Sequence, residues 1–324
     1  MEAGLNMVKQ KALMTGLPAG RLRIVSIGEC MVELAPAATP GQLKQAFAGD
    51  TFNTIYYTKL LRPDWHARYL SRVGADQISA DMLAQMAAHG LDVSHIRKSE
   101  TRTVGLYLIS LANGERSFAY WRGQSAARQL AEDPQLVAAA IADADIVFFS
   151  GITMAILEPD TRAGFLDAIA TARKAGKTIA FDPNMRPRLW RDADEMRETI
   201  MRAAAASDIV LPSFDEESAQ FGDIGPSATI ARYQAVGAAS VVVKNGPGAV
   251  CYAHCGQSGE VQPDPVGQLV DSTSAGDSFN AGLFAGLAQF GRIEPAIELA
   301  SGVARQVIGQ RGALVPLDLD ALQR

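Results

Sequence analysis

Five short runs of apolar, largely β-branched residues recur along this chain, with helix-like segments between them, and they decide what it can fold into. The runs are Arg23-Ile-Val-Ser-Ile-Gly28, Asp145-Ile-Val-Phe-Phe-Ser150, Lys177-Thr-Ile-Ala-Phe-Asp182, Asp208-Ile-Val-Leu-Pro212 and Ser240-Val-Val-Val-Lys244. Nearly continuous apolar character over so few residues suits strands buried on both faces of a parallel sheet. Helical spacing covers residues 76–89, 160–175, 192–206 and 229–236. Several of these segments open on Asp or Thr, and Gly90, Gly176 and Gly237 follow three of them as stops. The alternation predicts a doubly wound α/β fold around a mostly parallel central sheet.

Two stretches break the rhythm. Residues 29–49 hold Pro36, Pro40 and Gly41 and are not helical. Residues 103–110 and 116–122 read as two strands, with Asn113-Gly114 between them in a short turn, so a hairpin is expected. Together they predict a small β-sheet lid, built from about residues 30–50 and 99–123, on a single domain spanning residues 21–318.

Composition narrows the function. With 48% hydrophobic and 20% charged residues the chain buries a sizeable core. Its 30 Lys+Arg against 35 Asp+Glu, a net charge of −5, argue against a nucleic-acid binder. No apolar run reaches the ~18–20 residues of a membrane helix. The three cysteines, Cys30, Cys251 and Cys255, exclude a disulfide scaffold and suit a reducing, cytoplasmic setting. Lys9 and Lys11 precede a short apolar stretch interrupted by Thr15, Gly16 and Pro18, so residues 1–20 read as a frayed tail rather than a leader.

The most informative segment is Asp271-Ser-Thr-Ser-Ala-Gly-Asp277-Ser-Phe-Asn-Ala-Gly282. Small residues run from Ser272 to Gly276, and a helical pattern follows through Phe290. Gly276 is expected to let the chain turn tightly into that helix. The free N–H groups of its first turn and the helix dipole then make an anion hole. Asp277, at the same helix start, is placed to take a proton while charge develops on a transferred phosphoryl group. A simple helix cap is the competing reading.

Asp182-Pro-Asn-Met-Arg186 follows the carboxyl end of a central strand, the edge where open α/β sheets bind ligands. Arg186 and Arg188 bring two cations there, with a salt-bridged loop as the plainer alternative. The hairpin carries Tyr107, Tyr120 and Arg122, and alternation puts the last two on one face. An aromatic ring packs the carbon face of a sugar and its hydroxyl can bond a sugar oxygen, while a guanidinium holds a carboxylate through two parallel hydrogen bonds. The alternative is a lid that packs Phe118 and Trp121 into a small core of its own.

The segment 271–282 resembles the C-terminal signature of the ribokinase-like, or PfkB, carbohydrate kinases. Six further segments follow the order of that family: residues 28–34, 49–53, 105–109, 117–122, 182–186 and 211–217. The resemblance spans about residues 23–315 and is strongest toward the 2-keto-3-deoxygluconate kinases. It implies an ATP-dependent sugar kinase in which Asp277 is the general base and the amides of Ala275, Gly276 and Asp277 form the anion hole. It implies substrate contacts from Gly49, Asp50 and Asn53, with Tyr107, Tyr120, Arg122 and Arg186. ATP contacts fall on Asn184, Arg186, Ser213 and Lys244, on the turn at Gly246 and Gly248, and on Ser274, Ala275 and Gly276. Glu216 is implied to orient Mg²⁺ through water, with Asp215 and Glu217 as competing choices. Asp271 and Thr273 would lie near a monovalent cation such as K⁺.

Two positions depart from the family pattern. Asp50 stands where a second glycine is usual, and it could instead cap the helix through Leu61; Ser213 replaces the usual Asn. The Tyr, Tyr-x-Arg pattern at 107, 120 and 122 matches kinases of sugar acids. The implied reaction is therefore phosphorylation of 2-keto-3-deoxy-D-gluconate at O6, by an enzyme whose lids pair in a homodimer or higher homo-oligomer.

Other readings compete. A fructokinase or other sugar kinase would keep Asp277 and lose the demand for Arg122. A catalytically silent sugar sensor would have lost Asp277 or its anion hole. A dinucleotide oxidoreductase would need the Gly-x-Gly-x-x-Gly that is missing. Gly176-Lys177-Thr178 runs from helix into strand, the reverse of a P-loop, and position 171 is Thr. Cys251, His254 and Cys255 lack a second cluster to complete a zinc site, and His66, His89 and His95 are scattered.

Overall fold

The computed structural model describes residues 21–37, 39–112 and 115–323. The segment 1–20 and the Asn113-Gly114 turn lie outside the described residues. In chain order the strands are β1 (Arg23–Ile27), β2 (Met31–Pro36), β3 (Leu43–Ala48), β4 (His66–Leu70), β5 (Arg72–Gly74), β6 (Arg97–Ser99), β7 (Leu106–Ala112), β8 (Glu115–Trp121), β9 (Ile146–Ser150), β10 (Thr178–Asp182), β11 (Ile209–Val210), β12 (Ser240–Val243), β13 (Val250–His254) and β14 (Gln257–Val261). The helices are α1 (Asp50–Leu61), α2 (Gln77–Ala88), α3 (Pro134–Ala142), α4 (Gly151–Ile156), α5 (Pro159–Lys174), α6 (Ala193–Ala205), α7 (Phe214–Phe221), α8 (Pro226–Ala235), α9 (Ala275–Phe290) and α10 (Ile293–Ile308).

All five apolar runs lie in one sheet, of order β14-β13-β12-β11-β10-β9-β1-β4. It is parallel from β4 to β12, and β13 and β14 close it antiparallel. Alternate residues of each run enter different cores. Val147, Phe149, Ile179 and Phe181 join one hydrophobic cluster, and Ile146, Phe148, Ala180 and Ile209 join the other. Helices cover both faces, which is why these strands read as unbroken apolar runs. Each Val, Ile or Phe side chain among them contributes roughly 1.5–3 kcal/mol on burial.

Strand β4 escapes a search for apolar runs because Arg68 lies buried in it. Its guanidinium donates to Asp92 Oδ2 at 2.8 Å and Asp143 Oδ1 at 2.7 Å.

Residues 29–49 supply β2 and β3, which pair with the hairpin β7–β8 in a second sheet of order β3-β2-β7-β8. The register places Glu33 beside Tyr107, and Tyr107 opposite Tyr120. Residues at or just beyond the carboxyl ends of β9, β10 and β12 line one cleft together with residues of this second sheet.

Helix α9 reaches that cleft because α10 backs it closely. A Cβ at Gly282 would lie 2.6 Å from Ala300 Cα, and one at Gly286 would lie 2.6 Å from Ala296 Cα. The second glycine of the Asp271–Gly282 segment is thus a helix-crossing residue, and the crossing aims the start of α9 at the sheet edge.

Candidate active site

The cleft has a volume of about 1010 Å³. From the main sheet come Asn184 and Arg186 after β10, Ser213 and Glu216 around the start of α7, and Lys244 after β12. The loop into α9 adds Thr273 through Asp277, and α1 adds Asp50 and Asn53 behind Gly49. The lid adds Tyr107, Tyr120 and Arg122. Gly246, Gly248 and Asp271 do not line it; Gly246, at φ 53°, makes the turn after β12.

Asp277 sits in the first turn of α9 and faces the cleft. Its Oδ2 accepts hydrogen bonds from Asn53 Nδ2 at 2.8 Å and Ser274 Oγ at 3.0 Å. Burial, then the nearby charge of Asp50, raise its pKa to about 7, against the pull of the Asn53 bond. A carboxyl poised there takes a proton near neutral pH.

The turn into α9 departs from expectation. Ser274, at φ 65°, adopts the left-handed conformation. Gly276 lies inside the helix, where a Cβ would meet Lys244 Nζ at 3.3 Å. The glycine therefore makes room for an ammonium beside the helix start, and the backbone turn is made two residues earlier. Asp50 likewise does not cap α1: Gly49 is the N-cap residue, and the Asp50 carboxylate accepts a bond from Asn184 Nδ2 at 2.7 Å.

Asp182, absent from the site residues read in the sequence, ties the walls together. Its Oδ2 accepts bonds from Lys244 Nζ and Asn280 Nδ2, each at 2.7 Å, and its Oδ1 accepts the Asn184 N–H at 3.0 Å. That network holds Asn184 at φ 31°, a strained conformation of the kind that persists only when its surroundings fix it. The Asp182-Pro-Asn segment carried the signal, since an acid ends a buried strand there.

The cations of the cleft are mostly paired. Arg186 donates to Glu216 Oε1 at 2.5 Å, and the Met185 N–H donates to Glu216 Oε2 at 2.9 Å. Burial raises the Glu216 pKa, which Arg186 opposes. Neighbouring Glu217 turns away and accepts bonds from Arg232 and Tyr233, so it is not the acid facing the cleft. Arg122 donates to the buried Glu29, and Tyr107 donates its hydroxyl to Glu33. Arg188 lines the cleft from an exposed one-turn helix, Pro187–Leu189. Phe118 and Trp121 form no lid core, since both are exposed.

Asp271 is buried, and its two oxygens accept the N–H groups of Thr273 at 3.0 Å and Gly312 at 2.8 Å. In the Cys251–Cys255 segment, His254 is hydrogen-bonded to Ser240 at 2.7 Å.

The pattern of the pfkB family carbohydrate kinases matches residues 21–319. The chain belongs to that family. It is 35% identical over 302 residues to the 2-dehydro-3-deoxygluconokinase of Haemophilus influenzae, covering 90% of this chain and 95% of that one. It is 29% identical to a fructokinase of Klebsiella pneumoniae, covering 93% and 98%. Among solved structures, the PfkB protein from Polaromonas sp. JS666 superposes with a TM-score of 0.81 at 26% identity, over 93% of this chain and 99% of that one. For a PfkB carbohydrate kinase, a carboxylate at the start of α9 with a cation beside it is the arrangement phosphoryl transfer needs.

Proposed function

We propose that this kinase transfers the γ-phosphoryl group of ATP to the terminal hydroxyl, O6, of 2-keto-3-deoxy-D-gluconate. The observation that carries the reading is that Asp277 and Arg122 line one cleft from its two walls, main sheet and lid. The similarity to the Haemophilus enzyme supports the same substrate.

Asp277 takes the O6 proton as that oxygen bonds to phosphorus and the bond from phosphorus to the ADP oxygen breaks. The products are ADP and the 6-phosphate. The N–H groups of Ala275, Gly276 and Asp277, with the Lys244 ammonium beside Gly276, meet the charge spread over the transferring group. Asn53 orients Asp277, while Asp50 and Gly49 border the sugar. Arg122 takes the substrate carboxylate, and the rings of Tyr107 and Tyr120, with centroids 5.8 Å apart, cover the deoxy carbon. The lid excludes water, which would otherwise accept the phosphoryl group.

Mg²⁺ neutralises phosphate charge when bound. Among the described residues no three acidic, histidine or cysteine side chains converge on a metal position. An ion that arrives on nucleotide phosphates would keep its waters, and Glu216 would hold it through one of them. Arg186, Asn184 and Ser213 border the phosphate side, and the Gly246–Gly248 turn would carry the remainder of the nucleotide. Asp271 and Thr273 offer the oxygens for a monovalent cation such as K⁺.

Residues 21–318 then act as one kinase domain with its lid. The lid's outer face leaves Trp121 60% exposed and Leu43 51% exposed, which supports pairing with a second lid in a homodimer. Among the described residues no helix is long and apolar enough to cross a membrane, and a reducing cytoplasm suits three free cysteines.

The test is ADP release, measured by a coupled assay with 2-keto-3-deoxygluconate, gluconate and fructose at saturating MgATP. The keto acid is expected to give the highest kcat/KM. Fructose leaves Arg122 without its carboxylate; gluconate lacks the keto group and adds a hydroxyl at C3, a mismatch of about 1–3 kcal/mol per unpaired group. A preference for fructose would overturn the sugar-acid reading and leave the family assignment standing.

A further inference from the structure

Two of the three lid residues assigned to the sugar acid, Arg122 and Tyr107, are each held by a buried carboxylate. Glu29 lies between β1 and β2, is 1% exposed, and accepts a hydrogen bond from Arg122 Nη2. Glu33 lies within β2, is 5% exposed, and accepts the hydroxyl proton of its cross-strand partner Tyr107. Met31, between the two acids, lines the cleft. The backbone makes room for the first pair: a Cβ at Gly105 would stand 2.7 Å from Glu29 Oε1 and 3.2 Å from Arg122 Cβ. The pair is also incomplete as a fork. Arg122 Nε and Glu29 Oε1 are buried without a hydrogen-bond partner among the described residues. Glu29 therefore holds the guanidinium through Nη2, while the Arg122 side chain still lines the cleft.

We propose that Glu29 and Glu33 are positioning residues for sugar-acid recognition. Glu29 fixes the Arg122 guanidinium by one N–H and leaves another edge for the substrate carboxylate. Glu33 fixes the Tyr107 hydroxyl, so that the ring face, rather than the phenolic O–H, meets the sugar. The physical gain is preorganisation. A free arginine side chain loses several rotatable bonds on gripping an anion, and one already held loses few. This rests on the reading of Arg122 and Tyr107 as substrate contacts.

The test is steady-state kinetics of Glu29→Ala, Glu29→Gln and Glu33→Ala, beside Arg122→Ala and Tyr107→Phe. Glu29→Ala is expected to raise KM for the keto acid about tenfold while KM for ATP stays within twofold. Glu29→Gln keeps an acceptor oxygen and recovers most of that loss. Glu29→Ala should add nothing in an Arg122→Ala background, and Glu33→Ala nothing in a Tyr107→Phe background. Where the alanine variant is too unstable to assay, Glu29→Asp keeps the charge, withdraws the oxygens by one methylene, and should raise the same KM several-fold. The proposal falls if Glu29→Ala changes both KM values alike, or neither. A large Arg122→Ala effect with a silent Glu29→Ala removes this proposal alone; a silent Arg122→Ala removes the sugar-acid reading beneath it.

Discussion

Asn53 donates its side-chain amide to Asp277 Oδ2 at 2.8 Å, joining the first turn of α1 to the first turn of α9 across 224 positions of sequence. The same Asn53 accepts the Gly49 N–H through its Oδ1 at 3.3 Å. One side chain thus fixes both the entry to α1 and the carboxylate proposed to take the proton. It also opposes the burial that raises the Asp277 pKa.

Asp277→Asn is expected to lower kcat by roughly 10²–10⁴-fold, with nucleotide affinity within a few-fold of the parent. The fold should gain from the change at high pH. The Asp277 pKa is raised in the folded state, so protonated Asp277 favours folding, and that contribution is lost as pH rises through about 7. Thermal melts should show a higher Tm for Asp277→Asn at pH 8 and a shrinking difference toward pH 4. Near-parental turnover in a clean preparation would remove Asp277 from the base role.

The acid limb of the kcat/KM profile should fall near pH 7, tenfold per pH unit below it, if Asp277 must be ionised to accept the proton. Asn53→Ala removes a bond that favours the ionised form, so its limb should move to higher pH. An unmoved limb would assign the titration to another group.

Gly276→Ala places a methyl 3.3 Å from Lys244 Nζ, so the ammonium must give way by a few tenths of an ångström beside the helix start. Turnover is expected to fall about tenfold, the order of one weakened charge-assisted bond, with Tm changed by no more than a few degrees. Isothermal titration should show the affinity loss for a non-hydrolysable ATP analogue exceeding that for ADP. Equal losses would place Lys244 away from the transferred group.

Trp121→Asp puts a charge on the exposed outer face of the lid. If lids pair there, light scattering should report a dimer for the parent and a shift toward monomer for the variant, with dissociation raised about 30-fold or more. An unchanged mass would locate any self-association elsewhere.

The sequence by itself determined the sheet, because strands buried on both faces must be apolar at every position, as Ile146 to Phe149 are. It also determined the start of α9, since small residues ahead of a helix with an acid in its first turn are a local pattern. The helix stops were local too: Gly90, Gly176 and Gly237 all take positive φ. Strand β4 was not legible, because Arg68 is neutralised by Asp92 and Asp143, which lie far along the chain. Nor were the partners inside the cleft. That Glu29 faces Arg122, Glu33 faces Tyr107 and Asp182 gathers Lys244 and Asn280 depends on side chains 62 to 98 positions apart. The role of Gly276 changed for the same reason: local reasoning assigned it a turn, and only a lysine arriving from β12 showed the space it keeps open. Periodicity records which residues are buried; which charges share a buried space is decided by how distant segments pack.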